Sequence, residues 1–367
     1  MKRLKLGGLT LATAFASLVG IAVMPAAQAC GCGGFVAADG ENIAASAEYA
    51  VLTWDGETEQ VILSMEALTS SGATDAALLI PTPAPAEAAL AETTLFGELE
   101  EVIAPEEIVT YEWWPDLGFG SSGEAGGAPA GAPGEAGVSV LDTQQLGELE
   151  VSVLAAADAN LLAAWLDEHG YVMRDGLADA LMPYVSEGWY YIAIRLTAQA
   201  EDLSGALQPL HLTFASQQLI YPMRLSAAAS ESQFVRTYVF SDHRMLRTDE
   251  SADTGILDLR FAGEVPAGVL TSDTVVSIAA AQPYLTVLDQ YFEVPAEEII
   301  SDFTFGQANS DEPFRERVYE TRMREILGIP AGPALTFIGM VVVLVGTLVV
   351  SGVTRRSRRL RRQSAQG

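Results

Sequence analysis

Apolar and polar residues alternate over many short stretches in the middle of the chain, the period-two pattern of strands with one buried face. Glu59–Ala67 places Val61, Leu63, Met65 and Ala67 on one side; with Glu48–Trp54 and the turn Trp54-Asp55-Gly56-Glu57 before it, a hairpin is predicted. Ala76–Ile80 reads as a strand stopped by Pro81-Thr82-Pro83. Further strands are predicted at Ile108–Trp114, Val138–Leu141, Glu148–Leu154, Trp189–Thr197, Leu210–Phe214, Leu219–Leu225, Gln233–Phe240 and Ile256–Phe261. Helical spacing appears in four places: Thr93–Ile103, the run Leu161, Leu162, Trp165 and Leu166 between a cap at Asp158 and Gly170, Asp175–Tyr184, and Pro313–Leu327, where Glu320 and Arg324 lie four apart. The pattern predicts an α+β fold, mainly antiparallel β with a few helices.

Both ends break this pattern. Residues 1–29 combine Lys2, Arg3 and Lys5, an apolar run from Leu9 to Val23, and Ala27-Gln28-Ala29 before Cys30, which reads as a secretory signal. Ala334–Val353 is uncharged and, at about 1.5 Å per residue, matches the roughly 30 Å of a bilayer's hydrocarbon core. Arg355, Arg356, Arg358, Arg359, Arg361 and Arg362 follow at once, so the positive-inside rule keeps this end cytoplasmic. The expected organisation is a signal (1–29), an extracytoplasmic domain (30–312), a juxtamembrane helix and hinge (313–333), a transmembrane helix (334–353) and a basic tail (354–367). Gly, Ala and Pro make up 15 of the 20 residues from 118 to 137, a stretch with almost nothing to bury and hence expected to be a loop or linker. The strands on its two sides favour one domain with a long loop; two small domains are the alternative.

Charge then narrows the partners. The formal net charge is −28, but nine of the 20 basic residues sit in the two ends, leaving 11 arginines against 48 acids, or −37, between them. Such a surface repels phosphate backbones and excludes nucleic acid as a partner. The partners expected are the membrane, through 334–353, and an unidentified protein or envelope ligand.

The remaining motifs are sparse. Cys30 and Cys32 are the two cysteines, read as a structural disulfide within or between chains, with a redox pair as the sharper alternative. Gly118-Phe119-Gly120-Ser121-Ser122-Gly123 spells a dinucleotide motif but lacks the strand and helix that its chemistry needs. Asp249, Asp253 and Asp258, with Ser251, offer oxygen ligands to calcium, although Gly255 and Arg260 break the EF-hand frame. Calcium is thus the one cofactor considered, against the reading that these acids are solvated. Among His169, His211 and His243, the last adjoins Asp242 and suits a general base. Alternation predicts that Trp113 and Trp114 cannot both enter the core, so one is exposed against a loop or a ligand such as a sugar or peptide.

Taken together, Ala29-Cys30-Gly31-Cys32-Gly33-Gly34-Phe35 after a signal, Leu78-Leu79-Ile80-Pro81-Thr82-Pro83, and Tyr284-Leu285-Thr286 leading to Ile300-Ser301-Asp302-Phe303 resemble the bacterial domain-of-unknown-function family numbered 2330. The resemblance covers residues 30–310 and implies an extracytoplasmic domain, without supplying a catalytic residue, substrate or cofactor. The expected function is that of a single-pass envelope protein in the cell membrane whose ectodomain is a binding module. An extracytoplasmic enzyme, of hydrolase or thiol–disulfide type, and a calcium-stabilised structural module are the alternatives.

Overall fold

The computed structural model describes residues 34–39, 41, 43–69, 71–114, 143–146, 149–155, 159–173, 175–197, 203–266 and 268–363. The expected signal, Cys30, Cys32, the strand at Val138–Leu141, the 118–137 segment and the cap Asp158 lie outside these residues.

The chain begins with β1 (Gly34–Ala37), β2 (Ile43–Trp54), β3 (Thr58–Thr69), β4 (Asp75–Thr82), β5 (Glu87–Leu90), α1 (Leu95–Ile103) and β6 (Glu106–Glu112). Next come β7 (Thr143–Leu146), β8 (Leu149–Ala155), α2 (Ala159–Glu168), α3 (Asp175–Glu187) and β9 (Tyr190–Thr197). They are followed by β10 (Gly205–Ala206), β11 (Leu210–Ala215), β12 (Ile220–Tyr221), β13 (Gln233–Ser241), β14 (Met245–Arg247) and β15 (Ile256–Glu264). The last group is α4 (Asp273–Ala281), β16 (Tyr284–Phe292), α5 (Pro295–Glu298), β17 (Phe303–Gln307), β18 (Phe314–Arg315), β19 (Arg317–Met323), β20 (Glu325–Ile326), β21 (Ile329–Pro330) and α6 (Ala331–Gln363).

A nine-stranded sheet runs β18-β15-β16-β13-β2-β3-β11-β5, with β10 also on β3. The pairing is antiparallel except between β13 and β2. A five-stranded antiparallel sheet runs β1-β4-β9-β8-β7. Alternation along the large sheet sends successive side chains into two separate cores. Leu52, Leu63, Val239 and Leu288 join a cluster shared with the small sheet, α2 and α3. Val51, Ile62, Phe240 and Val287 point the other way, against α1 and α4. Each such buried aliphatic or aromatic side chain contributes about 1.5–3 kcal/mol.

Two buried carboxylates tie the layers together at Ile300–Thr304. Asp302 accepts the N–H groups of Met223 (2.8 Å) and Arg224 (3.0 Å), Nε of Arg224 (2.7 Å) and the hydroxyl of Tyr184. Arg224 also grips Glu187 of α3 through both terminal nitrogens, at 2.6 and 2.7 Å. Asp249 accepts Nη2 of Arg247 (2.6 Å), the Ser301 hydroxyl (3.2 Å) and the Thr304 N–H (3.0 Å). The Arg247 guanidinium lies 3.2 Å from the centre of the Phe303 ring, and burial lowers its pKa against the pull of Asp249.

A second set of acids seats α4. Glu98 of α1 accepts the N–H groups of Thr271 (2.7 Å) and Ser272 (3.0 Å) and both of their hydroxyls, while Glu92 accepts the Thr274 N–H (3.2 Å). These carboxylates sit where α4 leaves its first N–H groups unsatisfied and its dipole favours negative charge.

Three expectations are corrected. Pro313–Leu327 is not a helix: β19 pairs in parallel with β6, from Arg317 opposite Glu106 to Met323 opposite Glu112. The arginines separated by two, Arg315 with Arg317 and Arg322 with Arg324, have strand rather than helix spacing, and Glu106 and Glu107, the acids that pair with Arg317 and Arg322, lie across the ladder. The hinge is a tight β20–β21 hairpin through Leu327 (φ 55°) and Gly328 (φ 75°), after which Pro330 and Pro333 are accommodated at the start of α6. Leu219–Leu225 yields a two-residue strand and then a 3-10 turn from Arg224, whose side chain and N–H are drawn to Asp302.

Two outcomes follow. Burial works to raise the Glu98 carboxyl, but the hydrogen bonds from Thr271 and Ser272 outweigh it and bring it down to about 2. A depressed pKa stabilises the fold above the ordinary carboxyl range near 4.5 and loses that contribution as pH falls toward 2. Glu98→Gln should therefore cost about 1 kcal/mol at pH 7, with the difference from wild type shrinking below pH 4 in thermal melts across pH. Gly255 has φ 61°, and a Cβ there would lie 2.4 Å from the Tyr291 carbonyl oxygen. Gly255→Ala should destabilise by more than about 1 kcal/mol in chemical unfolding, since neither strain nor contact can relax cheaply.

Candidate functional site

The end of the β2–β3 hairpin, its neighbour β11 and helix α4 enclose a cleft of about 450 Å³. Its position follows from the alternation. Thr58 and Gln60 share the α4 side of the sheet with Ile62, whereas the intervening Glu59 points into the opposite core. The hairpin turn is built by Asp55, whose Oδ1 accepts the N–H groups of Glu57 (2.9 Å) and Thr58 (2.7 Å), with Gly56 at φ 104°. From α4, Thr274, Ser277, Ile278 and Ala281 present one helical stripe to the cleft.

Gln282, just past α4, locks the helix to the hairpin. Its Nε2 donates to the Trp54 carbonyl (2.7 Å), and its Oε1 accepts from the Thr53 hydroxyl. His211 of β11 donates from Nε2 to Oε1 of Gln60 (3.0 Å), and burial, partly opposed by the charge of Glu92, lowers its pKa. That imidazole is neutral near pH 7. Asp55 is held below the usual carboxylate range by the N–H groups of Thr58 and then Glu57, so it stays ionised. The lining therefore offers hydroxyls from Thr53, Thr58, Thr274 and Ser277, amides from Gln60 and Gln282, one neutral imidazole, and the carboxylates Asp55 and Asp242. Neither lysine nor arginine is among the described residues that line it.

Glu59 shows what the opposite side of β3 does with an acid. It is fully buried, one oxygen accepts the Ile220 N–H (3.1 Å), and burial raises its carboxyl well above the ordinary range. Burial therefore favours its neutral form.

The residues singled out in sequence go to other places. Asp249, Asp253 and Asp258 do not converge: the first is paired with Arg247, the second ends a 3-10 turn, and the third lies on β15 opposite Asp289. Among the described residues no group of three or more His, Cys, Asp or Glu side chains is placed to hold a metal ion. Ser251, grouped with them as an oxygen ligand, is buried and accepts the N–H groups of Ile300 and Ser301, both at 2.9 Å. His243 turns away from Asp242 and contacts Asp311 (Nδ1 to Oδ2, 2.8 Å), while Asp242 faces the cleft. His169 stacks on Trp165 at 4.1 Å. Trp113 and Trp114 are both exposed, at 45% and 56%, at the end of β6 beside the first turn of α6.

Sequence reading found His211 and the Asp55 turn without joining them, and it missed α4 and Gln282. Val275, Ile278 and the cap Ser272 carry a helix signal, but nothing local ties Gln282 to Thr53, 229 positions away.

Comparisons with known proteins add the following. No curated protein matches the chain. Among solved structures, the crystal structure of baculovirus P35 is 12% identical with a TM-score of 0.35, covering 73% of this chain and 98% of that one. A mutated baculovirus P35 after caspase cleavage is 8% identical with a TM-score of 0.31, covering 71% of this chain and 96% of that one. The motifs that carried the resemblance lie at structural joints: Leu78–Thr82 in β4, Tyr284–Thr286 in β16, and Ile300–Phe303 at the two buried carboxylates. With residues 26–306 matched, the chain belongs to the family described as an uncharacterized protein conserved in bacteria (DUF2330).

Proposed function

We propose that this protein is a single-pass membrane protein whose acidic domain faces the outside and binds a small polar cation, such as an amine that also carries hydroxyl groups. The observation that carries the reading is the composition of the cleft: hydroxyls, amides and two carboxylates, one of them held ionised, with no balancing cation among the described lining residues. Such a lining hydrogen-bonds a hydroxylated ligand from several directions, attracts positive charge and repels anions. The surrounding charge of −37 raises the local concentration of a cation further. The cleft residues all fall within the family match, which supports a function carried by the shared domain.

Ala331–Arg356 is a helix long and apolar enough to cross a membrane, and only 6% of its apolar window is buried against the rest of the chain. The arginines that follow favour a cytoplasmic end, which leaves the domain outside. Neutral His211 serves in this account as a hydrogen-bonding wall, since its Nε2 proton is committed to Gln60.

The test is thermal unfolding of the detergent-solubilised full chain with a panel of amines, amino sugars, neutral sugars and anions. A cationic ligand at about 100 times its Kd should stabilise the fold by about 2.7 kcal/mol, and anions should have no effect. Ser277→Trp fills the cleft from an exposed position on α4, so it should abolish the shift while leaving the ligand-free melt nearly unchanged. A shift that survives Ser277→Trp, or stabilisation by anions, contradicts the assignment. Protease added to intact spheroplasts should degrade the domain and spare the basic tail; the reverse result contradicts the orientation.

A further inference from the structure

We infer that the paired strands β6 and β19 form a stalk whose tip, Tyr111, Trp113, Trp114 and Arg324, is seated in the lipid headgroup layer of the membrane that α6 crosses. The inference rests on the reading of α6 as a membrane span.

Both strands run in parallel away from the domain, and their residues are exposed or half-buried on both faces. Seven residues of extended chain reach about 23 Å. A two-stranded ribbon with two wet faces is marginal on its own. This one is fixed at the domain end by the residues just before β19: Arg315 donates to the Val102 (2.7 Å) and Ala104 (3.0 Å) carbonyls at the end of α1, and Arg260 of β15 pairs with Glu316 (2.5 Å). At the far end it is locked to the helix: the Gly332 N–H donates to the Trp113 carbonyl (2.6 Å) and the Ala331 N–H to the Arg324 carbonyl (2.7 Å).

That lock sets the depth of the tryptophans. A Cβ at Gly332 would lie 2.5 Å from the Trp113 carbonyl oxygen and 2.6 Å from the Trp114 ring, so glycine alone allows the Trp113 backbone and the Trp114 ring to sit against the first turn of α6. The uncharged run 334–353 spans about 30 Å, the full hydrocarbon thickness. The turn at Gly332 therefore lies just outside it, at the level where tryptophan and tyrosine are enriched because their rings have an apolar body and a polar edge. Tyr111, Trp113 and Trp114 are 55%, 45% and 56% exposed there, a large apolar area for water to face. Arg324 completes the site. Its guanidinium lies over the rings of Tyr111 (5.5 Å) and Trp113 (5.3 Å) and is in no ion pair among the described residues, which leaves its donors for a lipid phosphate. A protein partner would have to reach this tip between the domain and the bilayer.

The test reconstitutes the full chain into phosphatidylcholine–phosphatidylglycerol vesicles and compares wild type with Trp113→Phe/Trp114→Phe. Subtracting the two emission spectra isolates the pair, while Trp54, Trp165 and Trp189 report that both proteins are folded. Lipids brominated close to the headgroup should quench the pair's emission at least twofold, and aqueous iodide should leave it nearly unchanged. Quenching by iodide and not by bromolipid overturns the inference and leaves the tip open to water; protection from both overturns it in favour of a protein cover. Alkaline carbonate extraction separates the two readings. A chain retained by the vesicles but not quenched by bromolipid contradicts the stalk alone, whereas a chain released by carbonate overturns the span and the stalk together.

Discussion

A shortage of cations shapes this protein. Between its two basic ends the chain has 11 arginines, no lysine and 48 acids, so each guanidinium is a rare partner. Seven of the described arginines form ion pairs, and most of these bridge elements distant in sequence: Arg195 with Asp75, Arg224 with Glu187 and Asp302, Arg236 with Glu100 and Asp289, Arg260 with Asp289 and Glu316, and Arg317 with Glu106. Arg315 binds the Val102 and Ala104 carbonyls at the end of α1. Arginine suits these joints because one planar fork can satisfy two acids or an acid and a ring. Burying the pairs costs desolvation, but removing one partner leaves an uncompensated charge in the interior. The joints therefore specify which elements meet, while the apolar clusters supply the bulk of the attraction.

The remaining acids have nowhere to pair and take other roles. Some cap backbone, as Glu98 does at α4 and Asp55 does in its turn. Glu59 is buried in the core, where desolvation raises its carboxyl pKa. Asp242 and Asp55 border the cleft, whose described lining residues include no lysine or arginine to pair with them. The same scarcity gives Arg324 its significance, since it faces aromatic rings instead of a carboxylate at the point where the chain meets the helix.

Much of the architecture was legible in the local pattern. The β2–β3 hairpin, the strands β4, β8, β9, β11, β13 and β15, and helices α1, α2 and α3 follow from periods of two and 3.6 and from the turn residues between them. The α+β class and the apolar C-terminal helix are as expected. Pro313–Leu327 misled because Glu320 and Arg324 are spaced as a helical pair, and the competing partner, Glu106 and its strand, lies 211 residues from Arg317. The cleft was illegible for the same reason. It is assembled from β2, β3, β11 and α4, and the bonds that close it, Thr53 to Gln282 and His211 to Gln60, span 229 and 151 positions. Asp249 looked like a metal ligand because Arg247, two residues earlier, reads as one more polar residue until both are seen to be buried.

The claim that arginine joints hold the layers in place is tested most directly at Arg224 and Asp302, where α3, the turn after β12 and the start of β17 meet. The measurement is a double-mutant cycle in the full chain, with Arg224→Leu, Asp302→Asn and the double variant unfolded by denaturant. The account predicts that each single variant is strongly destabilised and that the two are coupled by about 2 kcal/mol or more. Additive losses, with coupling below about 0.5 kcal/mol, would show that apolar burial alone sets the assembly and would contradict it.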